Sequence, residues 1–131
     1  MPPPLKQTDP DCEAVYIDGE SQVVYAARKQ SGDAEVYAID VSDPYNPVIA
    51  EDGLEYANGV ESLYAAGDYL FVVAQGDPEF MVYDVTDPFD IRWLSSLDVD
   101  GLAVPTDVAY KDNVFYVTLF DRDALRIITA Y

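Results

Sequence analysis

The sequence predicts an all-β fold of tandem four-stranded antiparallel sheets, the blades of a β-propeller, and three observations predict it. A ten-residue phrase recurs: "AIDVSDPYNP" over Ala38–Pro47 returns as "VYDVTDPFDI" over Val82–Ile91. Tyrosine and β-branched residues fill the apolar runs, and nothing of helical period persists for ten residues. Glycine, asparagine and Asp-Pro pairs punctuate those runs at short intervals, as hairpin and turn residues do.

The repeat sets the elements. "FMVYDVTDP" (Phe80–Pro88) lies on "VYAIDVSDP" (Val36–Pro44) at an offset of 44, and "LYAAGDYLFVVA" (Leu63–Ala74) lies on "VAYKDNVFYVTL" (Val108–Leu119) at an offset of 45. "VYIDGESQVVYAA" (Val15–Ala27) fits the same template with one more residue in its turn. In the middle copy Ser62–Ala65 is a first strand, Gly67-Asp68 a tight hairpin and Tyr69–Ala74 a second strand. "QGDPE" is then a loop, Phe80–Val85 a third strand, "TDP" a turn and Ile91–Leu97 a fourth strand. A third copy of the recurring phrase opens as "LRIIT" (Leu125–Thr129), with threonine where aspartate stood.

Runs such as "LFVVA" and "VVYAA" are apolar at successive positions, so those strands need cover on both faces. Four-stranded sheets at a spacing of 40 to 50 residues, buried on both sides, are what a β-propeller requires. The expected organisation is one domain: blade 1 over about 13–55, blade 2 over about 60–98, and blade 3 over about 104–131 completed by an N-terminal strand at about 3–8, "PPLKQT". Propellers close with about four to eight blades. Three blades therefore call for a second chain, and a homodimer closing as a six-bladed ring is favoured over a trimer or a segment of a longer propeller.

"VYAIDVSDPYNP", "FMVYDVTDPFDI" and "GDYLFVVA" together resemble the LVIVD-repeat family of β-propellers over essentially the whole chain after Asp9. The resemblance implies the propeller fold and, for localisation, an extracellular or cell-surface protein; it says little of activity. The third copy departs from the family pattern at Thr129.

Composition removes several functions. The chain has 131 residues and a formal charge of −18 from 25 acidic and seven basic residues, so nucleic acid and anionic lipid are repelled. No apolar run approaches the roughly 18 residues of a membrane helix, so membrane insertion is not expected. The N-terminus has neither the basic nor the apolar region of a secretory signal. Without histidine there is no Ser-His-Asp or Cys-His nucleophile, and the lone Cys12 can form neither an internal disulfide nor a structural zinc site.

The acids point to three uses. In a propeller the loops sort onto two faces, and one face gathers Glu13, Glu35, Glu61, Glu79, Asp98 and Asp107 among others. The simplest use is hydration: eighteen aspartates, seven glutamates and three lysines make a halophile-like surface. The second is calcium or another hard cation, with "DVDG" (Asp98, Asp100) and "DRD" (Asp121, Asp123) offering oxygen ligands at alternate positions, although neither completes a calcium loop. The third is a cationic ligand or protein held at the acidic face, where Glu13, Glu61 and Asp107 are the candidate binding residues. Asp40, Asp43, Asp84 and Asp87 recur with the fold and are assigned to the turns, where aspartate accepts backbone N–H bonds. Trp93 and the tyrosines are assigned to sheet packing rather than ligand stacking.

Paired carboxylates on a propeller could hydrolyse glycosides. No pair stands out from the rest, so a non-enzymatic binding or assembly module without a cofactor is the expected function, ahead of a cation-binding propeller and a carboxylate-dependent hydrolase.

Overall fold

The computed structural model describes residues 12–28, 35–50, 59–75, 78–98, 104–120 and 124–129. Among them the chain forms eleven strands in three antiparallel sheets and no helix. The first sheet runs β1 (Cys12–Asp18), β2 (Val23–Arg28), β3 (Val36–Asp40), β4 (Val48–Ile49), each strand paired with the next. The second repeats that order with β5 (Val60–Ala66), β6 (Tyr69–Ala74), β7 (Phe80–Asp84) and β8 (Arg92–Leu97). The third has β9 (Pro105–Lys111), β10 (Val114–Leu119) and β11 (Ala124–Thr129). The expected strand at residues 3–8 lies outside the described residues.

Each sheet is a meander because its connections are short and carry the residues that reverse a chain. Gly67 has φ +59° in the β5–β6 hairpin, and Asp112 and Asn113, at φ 53° and 63°, take the same left-handed region between β9 and β10. Two successive positive-φ residues give the hairpin a twist that matches its flanking strands. The longer β1–β2 turn is tied by Asp18, whose Oδ1 accepts hydrogen bonds from Glu20 N at 3.1 Å and Ser21 N at 3.4 Å.

The strand registers make the three sheets correspond position by position. Val72 stands between Leu63 and Met81, Ala26 between Val15 and Tyr37, and Val117 between Val108 and Arg126. Because side chains alternate across a strand, β6 divides its core residues between two neighbours. Leu70, Val72 and Ala74 pack towards the first sheet with Val23, Tyr25 and Val36. Phe71 and Val73 pack towards the third with Phe115, Val117 and Leu119. The middle sheet is thus covered on both faces, which is why "LFVVA" carries no polar residue.

The second junction is built from aromatic rings. Phe71 lies 4.3 Å from Phe115 and 5.5 Å from Tyr110, centroid to centroid, and Phe80 meets the edge of Phe115 at 5.2 Å. Such pairs add roughly 0.5–1.5 kcal/mol each beyond their buried area. Trp93 does not share in this packing. It is exposed on β8, the edge strand of its sheet.

Candidate functional site

The three first strands, β1, β5 and β9, lie side by side across the stack, and they carry the candidate binding residues at one end. Each leaves register with its neighbour there. Glu13 is passed over between Cys12 and Ala14 opposite β2, Glu61 between Val60 and Ser62 opposite β6, and Thr106 between Pro105 and Asp107 opposite β10. An unpaired residue at the same position of every sheet is a β-bulge repeated with the fold, and a bulge re-aims the side chain it carries.

The bulges place the acids beside polar partners from neighbouring elements. Ser62 Oγ donates to Asp107 Oδ1 at 2.7 Å, and Asp107 Oδ1 also accepts from Val108 N at 2.9 Å. Glu61 Oε1 accepts a hydrogen bond from Gln75 Nε2. The Thr106 hydroxyl lies 2.9 Å from that of Thr118. Glu61 and Asp107 are thereby brought to one region, on adjacent first strands, and Glu13 holds the matching position on β1 as an exposed residue.

Below these groups runs a file of tyrosines. Tyr16 and Tyr64 lie 4.7 Å apart, centroid to centroid, and Tyr64 and Tyr110 6.1 Å apart. Burial, reinforced by the hydrogen bond with Tyr64 and by the Asp18 carboxylate, pushes the Tyr16 hydroxyl up to about 12. Tyr25 is likewise raised to about 12, by burial first and by Asp18 second. The raised Tyr16 and Tyr25 hydroxyls therefore stay neutral.

The turn aspartates are engaged with backbone. Asp40 Oδ1 accepts from Ser42 N at 2.8 Å, and Asp84 Oδ1 from Thr86 N at 2.8 Å and Thr86 Oγ1 at 2.6 Å. Asp43 Oδ1 accepts from Tyr45 N and Asp87 Oδ1 from Phe89 N, both at 3.0 Å. Hydrogen bonds to the ionised form hold Asp40, Asp43 and Asp84 below the ordinary carboxylate range. The recurring "DVSDP" and "DVTDP" phrases are therefore paired Asx turns joining the third strand of a sheet to the fourth.

Two acids depart from the expected solvated face. Glu35 and Glu79, at 1% and 2% exposure, are buried immediately before β3 and β7. Their carbonyls accept from Arg28 N at 2.7 Å and Ala74 N at 2.9 Å, extending each ladder by one rung. Their equal offset from the recurring phrase, each one residue ahead of an apolar strand, is the signal that marks them. Of the metal candidates, Asp98 is exposed just past β8, while Asp100, Asp121 and Asp123 lie outside the described residues. Among the described residues no three cysteine, histidine, aspartate or glutamate side chains gather closely enough to hold a metal ion.

No family model matches the chain, and no curated protein matches its sequence, so the likeness to LVIVD repeats rests on the quoted motifs alone.

Proposed function

We propose that the chain is a non-catalytic β-propeller module that assembles with a second copy of itself into a six-bladed ring and binds its ligand at the mouth lined by the bulged first strands. The observation that carries this reading is the middle sheet, which meets its two neighbours face to face through corresponding positions. A sheet covered in this way on both sides is the repeating unit of a propeller. Among the described residues the first sheet keeps Val15 and Ile17 exposed and the third Tyr116, Leu125 and Ile127, and three such units fall short of the smallest closed propellers.

The ligand is cationic on this reading. Glu13, Glu61 and Asp107 would recur twice around the ring, in a chain whose formal charge is already −18, and an acidic mouth of that kind draws cations and cationic protein segments. Light scattering on the eluting protein tests the assembly. A mass twice that of the 14.5 kDa chain is expected, and a mass of one chain at all concentrations would overturn the reading.

A further inference from the structure

We propose that the exposed apolar residues of the third sheet and those of β1 in the first are the two halves of one junction, so that the outer face of the third sheet in one protomer packs on the outer face of the first sheet in its partner, twice, about a twofold axis. This inference rests on the self-association just proposed and names the surfaces that make it.

Both junctions inside the chain have the same polarity. One face of the middle sheet, with Leu70 and Val72, receives the first sheet; its opposite face, with Phe71 and Val73, is received by Phe115 and Val117 of the third. Tyr25, Phe71 and Tyr116 hold corresponding positions, paired with Ala38, Val82 and Ile127 respectively. Tyr25 and Phe71 are buried in junctions; Tyr116 is exposed. Beside Tyr116, Leu125 is 54% and Ile127 62% exposed.

The first sheet is exposed in the opposite sense along β1, while Ala26 and Tyr37 further across the same face are buried. Val15 and Ile17 correspond to Leu63 and Ala65, which are buried in the first junction, yet they are 71% and 64% exposed. Val24 pairs with Ile17 on the same face, in the place that Leu70 holds in the second sheet and Phe115 in the third. The face missing from one end of the stack is thus the face left open at the other. A second copy supplies both, and the pairing closes on itself because each protomer gives one face of each kind. Apolar side chains at these positions, in a chain with 25 acids, confine the attraction between two like-charged protomers to this junction.

Two variants decide it. Ile127→Glu and Ile17→Glu each place a charge on one open face, at sites already exposed in the single chain, and circular dichroism establishes that each still folds; Ile127→Ser and Ile17→Ser stand in for a variant that does not. Each variant alone should elute as one chain at a concentration where the unaltered protein elutes as two. An equal mixture should regain the two-chain mass, because each variant keeps the face its partner has lost. Variants that remain two-chain, or a mixture that stays single-chain, would overturn the junction while leaving self-association standing. An unaltered protein of single-chain mass would overturn both.

Discussion

Ser62 Oγ donates a 2.7 Å hydrogen bond to Asp107 Oδ1, joining the first strand of the middle sheet to the first strand of the third. The two residues sit immediately after the bulges at Glu61 and Thr106, so a backbone irregularity repeated with the fold becomes a link between sheets. Replacing Ser62 by alanine should cost about 0.5–1.5 kcal/mol in urea unfolding, the net value of one such bond. Asp107→Ala should cost more, because Asp107 also accepts from Val108 N. Equal costs would mean that this second bond contributes nothing.

Phe71 is the hub of the aromatic junction between the second and third sheets, within 6.3 Å of Phe80, Tyr110 and Phe115. Phe71→Ala should lower stability by about 3–5 kcal/mol through lost burial and the cavity left behind. Phe89→Ala, on an exposed turn, should cost no more than about 0.5 kcal/mol. Comparable losses from the two would contradict a packed face-to-face junction.

The turn aspartates predict how the fold responds to acid. Asp84 is held below its ordinary value of 3.8 chiefly by the Thr86 hydroxyl and backbone N–H. Its stabilisation is complete above the unfolded value and disappears as pH falls through the lower folded one. Asp84→Asn keeps an acceptor oxygen but removes the charge. The difference in melting temperature between the unaltered protein and this variant should be constant from pH 7 to about 5 and shrink below about pH 4. A difference that widened in acid would reverse the assignment.

Tyr16 and Tyr25 predict the alkaline limb. Both are raised from 10.0 to about 12, so their stabilisation is present below pH 10 and is lost as pH rises through the folded values. In a spectrophotometric titration of the folded protein, Tyr16→Phe and Tyr25→Phe should each reduce the tyrosinate absorbance that develops near pH 12, and a loss confined to lower pH would contradict the burial of these hydroxyls.

Much of this fold is legible in the sequence because its determinants are local. Gly67-Asp68 marks a hairpin, the Asx phrase marks the turn from third to fourth strand, and Tyr69–Ala74 and Phe80–Asp84 follow from apolar composition alone. The unbroken run "LFVVA" also predicts a sheet covered on both faces. Other features escape. β4 reduces to Val48–Ile49 where β8 spans six residues, a difference decided by ladder hydrogen bonds rather than by residue type. Glu35 and Glu79 are buried although acidic, each one residue ahead of an apolar strand with its backbone carbonyl in the ladder, and residue type alone places both on a solvated face. The bulges at Glu13, Glu61 and Thr106 leave no compositional mark and emerge only from the strand registers.

The central claim is that three corresponding sheets in one chain join three in another to close a compact ring. Small-angle X-ray scattering tests it most directly. Two chains of 131 residues packed as one body should have a radius of gyration of about 18 Å, and one chain about 14 Å, from the size scaling of compact proteins. A value near 18 Å with a two-chain forward intensity is the predicted result; a value near 14 Å with a single-chain intensity would contradict the account.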